Sequence, residues 1–111
     1  MRCSTRKEQY PDEIEEMISW LYDGDPQAKT KAYRVFATSD AETAGRLKEI
    51  VCPTLVMPGD GDAGSPPHMS EAMAREIPNS QLKIFENQQH MMLVLDADHV
   101  SQTMWEFLDE L

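Results

Sequence analysis

The chain has 111 residues, with 20 acidic and 10 basic side chains and a formal net charge of −10. This length allows one domain, and the acidic balance excludes nucleic acid and anionic membranes as natural partners, because both need a basic binding face. Hydrophobic residues make up 41% of the chain and charged residues 27%, which is typical of a folded protein rather than a disordered one.

The cysteine content and the apolar stretches of the sequence indicate the cellular compartment that we expect for the chain. The two cysteines, Cys3 and Cys52, are too few for a disulfide framework, so we expect free thiols in a reducing, cytoplasmic environment. No apolar stretch follows the basic N-terminal residues, and we therefore predict no signal peptide. The longest apolar run, residues 91–95, is too short to span a bilayer, and we expect no membrane partner.

The first part of the chain is predicted to be helical and acidic, after a polar tail at residues 1–10 that we expect to be frayed. Apolar side chains recur at the spacing of a helix with one apolar stripe, at Ile14, Met17, Ile18 and Leu21. Three helices are predicted: one from Pro11 to about Leu21, a second over about 26–36, and a short third that Ser39-Asp40 caps and that ends near Leu47.

The character of the chain changes at Ile50. Residues 50–57 are a continuous, β-branched apolar run, which predicts a strand covered on both faces. The elements predicted after it are a helix with Ser65 as N-cap and Pro66 at its first position, a strand over 82–86, a polar loop over 87–90, and a helix from about Asp98 to the C-terminus. Two strands joined through one helix should be parallel. The pattern predicts an α/β fold, with an organisational boundary near residue 48.

Polar side chains follow both predicted strands. Asp62 lies in the loop after the first strand and His90 in the loop after the second, so both should lie at the same edge of the sheet. A carboxylate placed there can accept the Nδ1–H of the imidazole and fix its tautomer for base catalysis. The blander alternatives are a turn role for Asp62 and a loop or core role for His90. Asp60 lies close to the pair in sequence, but the spacing does not favour a metal site, and we predict neither metal nor cofactor.

Residues 50–62, which read Ile-Val-Cys-Pro-Thr-Leu-Val-Met-Pro-Gly-Asp-Gly-Asp, resemble the penultimate strand of α/β-hydrolases and the loop that ends in the triad acid. Residues 90–108 resemble the C-terminal end of that family, which begins with the triad histidine. Within it, the chain is most similar to 3-oxoadipate enol-lactonase-like esterases, through Asp-Pro-Gln-Ala at 25–28 with residues 33–37, Gly64-Ser65 and His90-Met91.

This resemblance implies that residues 49–111 are the C-terminal β-α-β-α part of an α/β-hydrolase fold, two parallel strands with helices, and that residues 1–48 are a remnant of its helical lid or cap. It makes Asp62 the acid and His90 the general base of a parent enzyme that hydrolyses a small-molecule carboxylic ester or enol lactone. Two departures surround the histidine: Gln89 stands where many members have glycine, and Leu95-Asp96-Ala97 stands where many have Glu-x-Pro.

The nucleophile of that family is missing. In this fold the nucleophile precedes the acid, in a Gly-x-Ser-x-Gly turn. None of the serines up to the acid loop has this context: Ser4, Ser19, Ser39 and Ser65. Cys52 lies near the start of the strand, at the wrong edge. We therefore expect the chain to be inactive alone.

A second hypothesis is a non-catalytic interaction module. A truncated β-α-β-α unit leaves a bare strand edge and an uncovered sheet face, which favour a homo-oligomer or a separately encoded N-terminal half as partner. A small metal-binding protein is the third and weakest hypothesis. The remaining histidines, His68 and His99, are expected on helix surfaces.

Overall fold

The computed structural model describes residues 6–111. The chain divides between Glu42 and Thr43 into two compact units. In chain order its elements are α1 (Arg6–Gln9), α2 (Pro11–Tyr22), α3 (Pro26–Thr43), a 3-10 turn (Leu47–Glu49), β1 (Thr54–Val56), α4 (Pro67–Glu76), β2 (Ser80–Leu82), α5 (Met92–Leu95) and α6 (Ala97–Asp109). Among the described helices, none combines the length and apolar character that a membrane crossing needs.

The first unit is helical, as predicted, but its helices are divided differently. The expected frayed tail is wrong for residues 6–9, which form α1, while the rest of that tail before Arg6, with Cys3, lies outside the described residues. The two helices predicted over 26–47 are also wrong, because α3 runs unbroken to Thr43. Ser39 caps no new helix, since its hydroxyl donates to the Phe36 carbonyl at 3.3 Å within α3.

The second unit contains a two-stranded sheet whose strands are parallel, as predicted, with Thr54 opposite Ser80 and Val56 opposite Leu82. The strand predicted over 50–57 is too long, because Pro53 has no N–H to donate to a ladder and β1 begins only after it. The strand predicted over 82–86 is displaced: β2 begins at Ser80, and beyond Leu82 the pairing continues only through isolated hydrogen bonds.

Helix α4 begins one residue later than predicted. Pro66, not Ser65, occupies the N-cap position, and its ψ of 153° is the extended conformation that a residue before proline adopts. Ser65 therefore stays in the loop that precedes the helix. The predicted loop over 87–90 and the final helix α6 are confirmed. The short helix α5 between them is not anticipated by the sequence pattern.

The core of the second unit lies directly beneath the loops that follow the strands. Phe85 is 1% exposed and packs with the buried Met92 and Val100, and Met57 contacts this cluster. Phe85 also joins the end of the sheet, because its N–H donates to the Pro58 carbonyl at 2.9 Å. The segments that follow β1 and β2 are therefore joined at Phe85.

Candidate active site

The loop after β1 holds Asp62 in a tight turn. One carboxylate oxygen, Oδ1, accepts hydrogen bonds from the backbone N–H groups of Gly64, at 3.0 Å, and Ser65, at 2.9 Å. Asp62 is only 9% exposed, so the rest of the loop shields it from water. Asp62 therefore does stabilise a turn, as the alternative interpretation expects. This turn uses only Oδ1, so Oδ2 can accept a hydrogen bond from another partner.

That partner is His90. Its Nδ1 lies 2.7 Å from Asp62 Oδ2, so the hydrogen bond predicted from the sequence is confirmed. An ionised carboxylate only accepts hydrogen bonds, and the proton of a neutral His90 ring must therefore sit on Nδ1. The imidazole is 74% exposed. With Nδ1 engaged, Nε2 is the nitrogen available to take a proton from a reacting group.

Two glycines let the acid loop approach the histidine loop. A Cβ added to Gly59 would lie 2.5 Å from the Gln88 carbonyl oxygen and 2.7 Å from its carbon, and one added to Gly61 would lie 3.1 Å from that oxygen. The Gly61 N–H instead donates to the Gln88 carbonyl at 2.9 Å. Asn87, with a φ of 58°, turns the chain just before this contact. The backbone approach thus fixes the distance between Asp62 and His90.

The electrostatics of the pair follow from these contacts. The hydrogen bond from His90 and the backbone N–H groups of Ser65 and Gly64 stabilise the ionised carboxylate and hold the pKa of Asp62 below its ordinary value. The Asp62 carboxyl is therefore ionised, which is the state that it needs in order to orient a neutral imidazole or to stabilise an imidazolium.

The lowered pKa of Asp62 predicts a pH dependence of stability. The pKa of an aspartate in the unfolded chain is about 4. The stabilisation from the ionised Asp62 is therefore complete above that pH, and it is lost as the pH falls through the lower pKa that Asp62 has in the folded state. We expect the urea midpoint of the wild type to decrease as the pH is lowered below about 4. In Asp62→Asn the midpoint should decrease less over the same pH range. Asp60→Asn removes the same charge from an exposed neighbour and serves as control. Equal acid sensitivity in wild type and Asp62→Asn would contradict the prediction.

A cavity of about 330 Å³ opens beside the pair. Its walls are largely apolar, from Met57, Pro58 and Met92. Two hydroxyl side chains, Ser65 and Ser70, also line it. The sequence analysis does not single out Ser70. Its position in the first turn of α4, directly after the loop that carries Asp62, could have indicated that it lies near the site. Neither serine has the Gly-x-Ser-x-Gly context of a nucleophile elbow.

The other sequence candidates lie outside this arrangement. Cys52 is exposed before the start of β1, and its Sγ lies 4.0 Å from Thr54 Oγ1, at the strand end away from Asp62. Asp60 is exposed, and within residues 6–111 no three His, Cys, Asp or Glu side chains are grouped to hold a metal ion. His99 lies exposed on the surface of α6, as predicted, and its ring also packs against the buried Phe85.

Comparison with known proteins shows which proteins this chain resembles. No family model matches the chain. It is 32% identical over 102 residues to the (E)-2-((N-methylformamido)methylene)succinate hydrolase of Acinetobacter baylyi, across 87% of this chain and 39% of that enzyme. Among solved structures, it matches a thermophilic esterase from Thermogutta terrifontis with a TM-score of 0.59 and 38% identity, over 61% of this chain and 25% of the esterase. The resemblance to α/β-hydrolases that the sequence predicts is therefore confirmed over the part of the chain that matches.

A second α/β-hydrolase structure agrees with this assignment. MenH from S. aureus matches with a TM-score of 0.55 and 37% identity, over 59% of this chain and 24% of MenH. The predicted fold class is confirmed, because the two parallel strands and their helices match part of these α/β-hydrolase structures. The chain spans about two fifths of the length of its curated relative and about a quarter of each matched structure.

Proposed function

We propose that this chain supplies the acid and the base of a Ser-Asp-His triad that hydrolyses a small carboxylic ester or enol lactone. The observation that carries the proposal is the 2.7 Å contact between His90 Nδ1 and Asp62 Oδ2, beside a largely apolar cavity. The relatives support the reaction class, since one is a hydrolase and another an esterase by name. The apolar cavity wall suits the acyl part of such a substrate.

In this mechanism each group acts at a stated atom. His90 Nε2 removes the proton of a serine hydroxyl as the oxygen attacks the carbonyl carbon, and later returns that proton to the leaving alcohol or enol oxygen. Asp62 keeps the ring proton on Nδ1, so that Nε2 is free to accept, and stabilises the imidazolium formed in between. The backbone N–H groups of Gly64 and Ser65 hold the carboxylate in place.

The serine and the oxyanion hole of this mechanism have no counterpart in the sequence. No Gly-x-Ser-x-Gly turn occurs in it. The nucleophile would come from a segment equivalent to the part of the relatives that this chain does not match, and residues 1–48 would correspond to the lid. The chain alone would then be inactive towards esters.

An activated ester tests this inactivity directly. We expect the chain, incubated with p-nitrophenyl acetate, to release p-nitrophenol no faster than His90→Ala and to show no acetylated serine by mass spectrometry. His68→Ala replaces a histidine outside the site and is the matched control. Turnover that depends on His90 but not on His68, together with an acetylated serine, would contradict the proposed inactivity and place the nucleophile in this chain, with Ser65 and Ser70 as first candidates.

Exposed apolar side chains favour a second candidate function, as an interaction module. Large apolar side chains stand exposed on the second unit at Val51, Met69, Met73, Leu93, Met104, Trp105, Leu108 and Leu111. Met104 and Leu108 lie four residues apart on α6 and so share one face of it, and an exposed apolar face of this kind usually marks an interface. We propose that it pairs with a second copy of the chain when no N-terminal half is present.

Light scattering after size exclusion at micromolar concentration checks this pairing. We expect a dimer or larger species, and Leu108→Lys should move it towards the monomer. Gln102→Lys adds the same charge to α6 at a polar position and should change nothing. A monomer throughout the micromolar range would contradict self-association.

A further inference from the structure

Three side chains around the His90 loop form a hydrogen-bonded group that the proposed triad does not include. Gln88 Nε2 donates to Asp96 Oδ2 at 3.2 Å, and His99 Nδ1 lies 3.1 Å from the same oxygen. His99 in turn packs edge-on against Phe85, with ring centroids 4.7 Å apart at 61°. Asp96 thus connects the His90 loop to the first turn of α6 and, through His99, to the core.

Gln88 links this group to the acid loop. Its backbone carbonyl accepts the Gly61 N–H at 2.9 Å, next to Asp62, while its side chain reaches Asp96. Gln88 stands two residues before His90 in the chain. One residue therefore ties the acid loop, the histidine loop and α6 together.

The acid and the base are held unequally. Asp62 is nearly buried and has two backbone donors on Oδ1, so its orientation is fixed within its own turn. The His90 side chain is 74% exposed. Its ring is oriented by the hydrogen bond to Asp62, which forms only while the loop holds the ring within reach, and a base gains precision when the elements that carry it are themselves held by hydrogen bonds.

We propose that Asp96 is the positioning residue for the base His90, acting through Gln88 and supported by His99. This rests on the proposed function, because it assumes that His90 is the base that Asp62 orients. Asp96 holds the Gln88 side chain, Gln88 holds the loop against Gly61, and the loop keeps Nδ1 of His90 pointed at Asp62. Loss of the Asp96 carboxylate frees the loop and lets the ring leave Asp62.

Long-range proton–nitrogen NMR of the imidazoles tests this proposal in the whole chain, at a pH where His90 is neutral. In the wild type we expect the His90 proton on Nδ1. Asp96→Ala should lose the Nδ1–H signal in favour of the Nε2–H form, and Asp96→Asn, which keeps one acceptor oxygen, should retain part of it. Asp98→Ala removes a carboxylate two residues away on α6 and should leave the signal unchanged. Gln88→Ala, which leaves the backbone intact, repeats the test if Asp96→Ala does not fold.

The outcomes separate this proposal from the proposed function. If Asp62→Asn abolishes the Nδ1–H signal but Asp96→Ala and Gln88→Ala both keep it at wild-type strength, Asp96 does not position the base and the inference is overturned. If the wild type carries no Nδ1–H signal, or Asp62→Asn leaves it unchanged, the acid–base pair itself fails and the inference falls with it.

Discussion

Gly59→Ala is expected to separate Asp62 from His90 and to lower the free energy of unfolding by about 2 to 3 kcal/mol, in the upper range of overpacking costs. The new methyl group would lie 2.5 Å from the Gln88 carbonyl oxygen, and the obstacle is backbone rather than the end of a flexible side chain. The two loops must move apart. That movement breaks the approach that brings the carboxylate to the imidazole.

Urea unfolding measures the stability change, and NMR of His90 measures the loss of the Nδ1–H signal. Gly64→Ala is the matched control, since it lies in the same loop and its added Cβ would meet only Asp62 Oδ1, at an ordinary 3.6 Å. We expect that variant to keep both the stability and the signal. Equal behaviour of the two variants would show that the close approach at Gly59 does not set the site geometry.

The contact between Asp62 and His90 could be predicted from the sequence because it follows from the order of the strands and loops along the chain. Asp62 and His90 each follow a strand, and parallel strands bring such loops to one edge. The resemblance of residues 50–62 to α/β-hydrolases assigned the roles. Neither argument depends on the length of a strand, so the contact is predicted correctly although both strand boundaries are wrong, and the catalytic roles stay a prediction.

Element boundaries were predicted less well, because backbone hydrogen bonding decides them rather than apolar content. Residues 50–57 look like one strand, yet Pro53 delays its start. Ser39 looks like a cap, yet its hydroxyl bonds back into α3. A serine or a proline has several structural uses, and only the surrounding backbone selects one.

The support around His90 could not be predicted from the sequence. Gln88 and Asp96 lie eight positions apart, with α5 between them, and the family resemblance assigns a role to neither of them. The sequence predicts His99 on a helix surface, but it does not predict the packing of its ring on Phe85, which joins α6 to the chain that follows β2. Such contacts exist only once the loops and the helix are assembled.

A chimaera of this chain with the esterase of Thermogutta terrifontis should hydrolyse esters through Asp62 and His90. In it, this chain replaces the quarter of the esterase that it matches, and the esterase supplies the remainder of an α/β-hydrolase. Asp62→Asn should lower kcat by about 10⁴-fold, the loss that follows when a triad aspartate no longer fixes the histidine tautomer. Asp60→Asn should leave kcat unchanged, because that side chain is exposed and lies outside the pair.

Hydrolysis by this chimaera and by its His90→Ala variant tests the central claim most directly. The claim predicts measurable ester hydrolysis by the folded chimaera and a fall to the background rate in His90→Ala, because the base that takes the serine proton is then missing. A folded, active chimaera whose kcat is unaffected by His90→Ala would contradict the claim that this chain carries the base of a hydrolase.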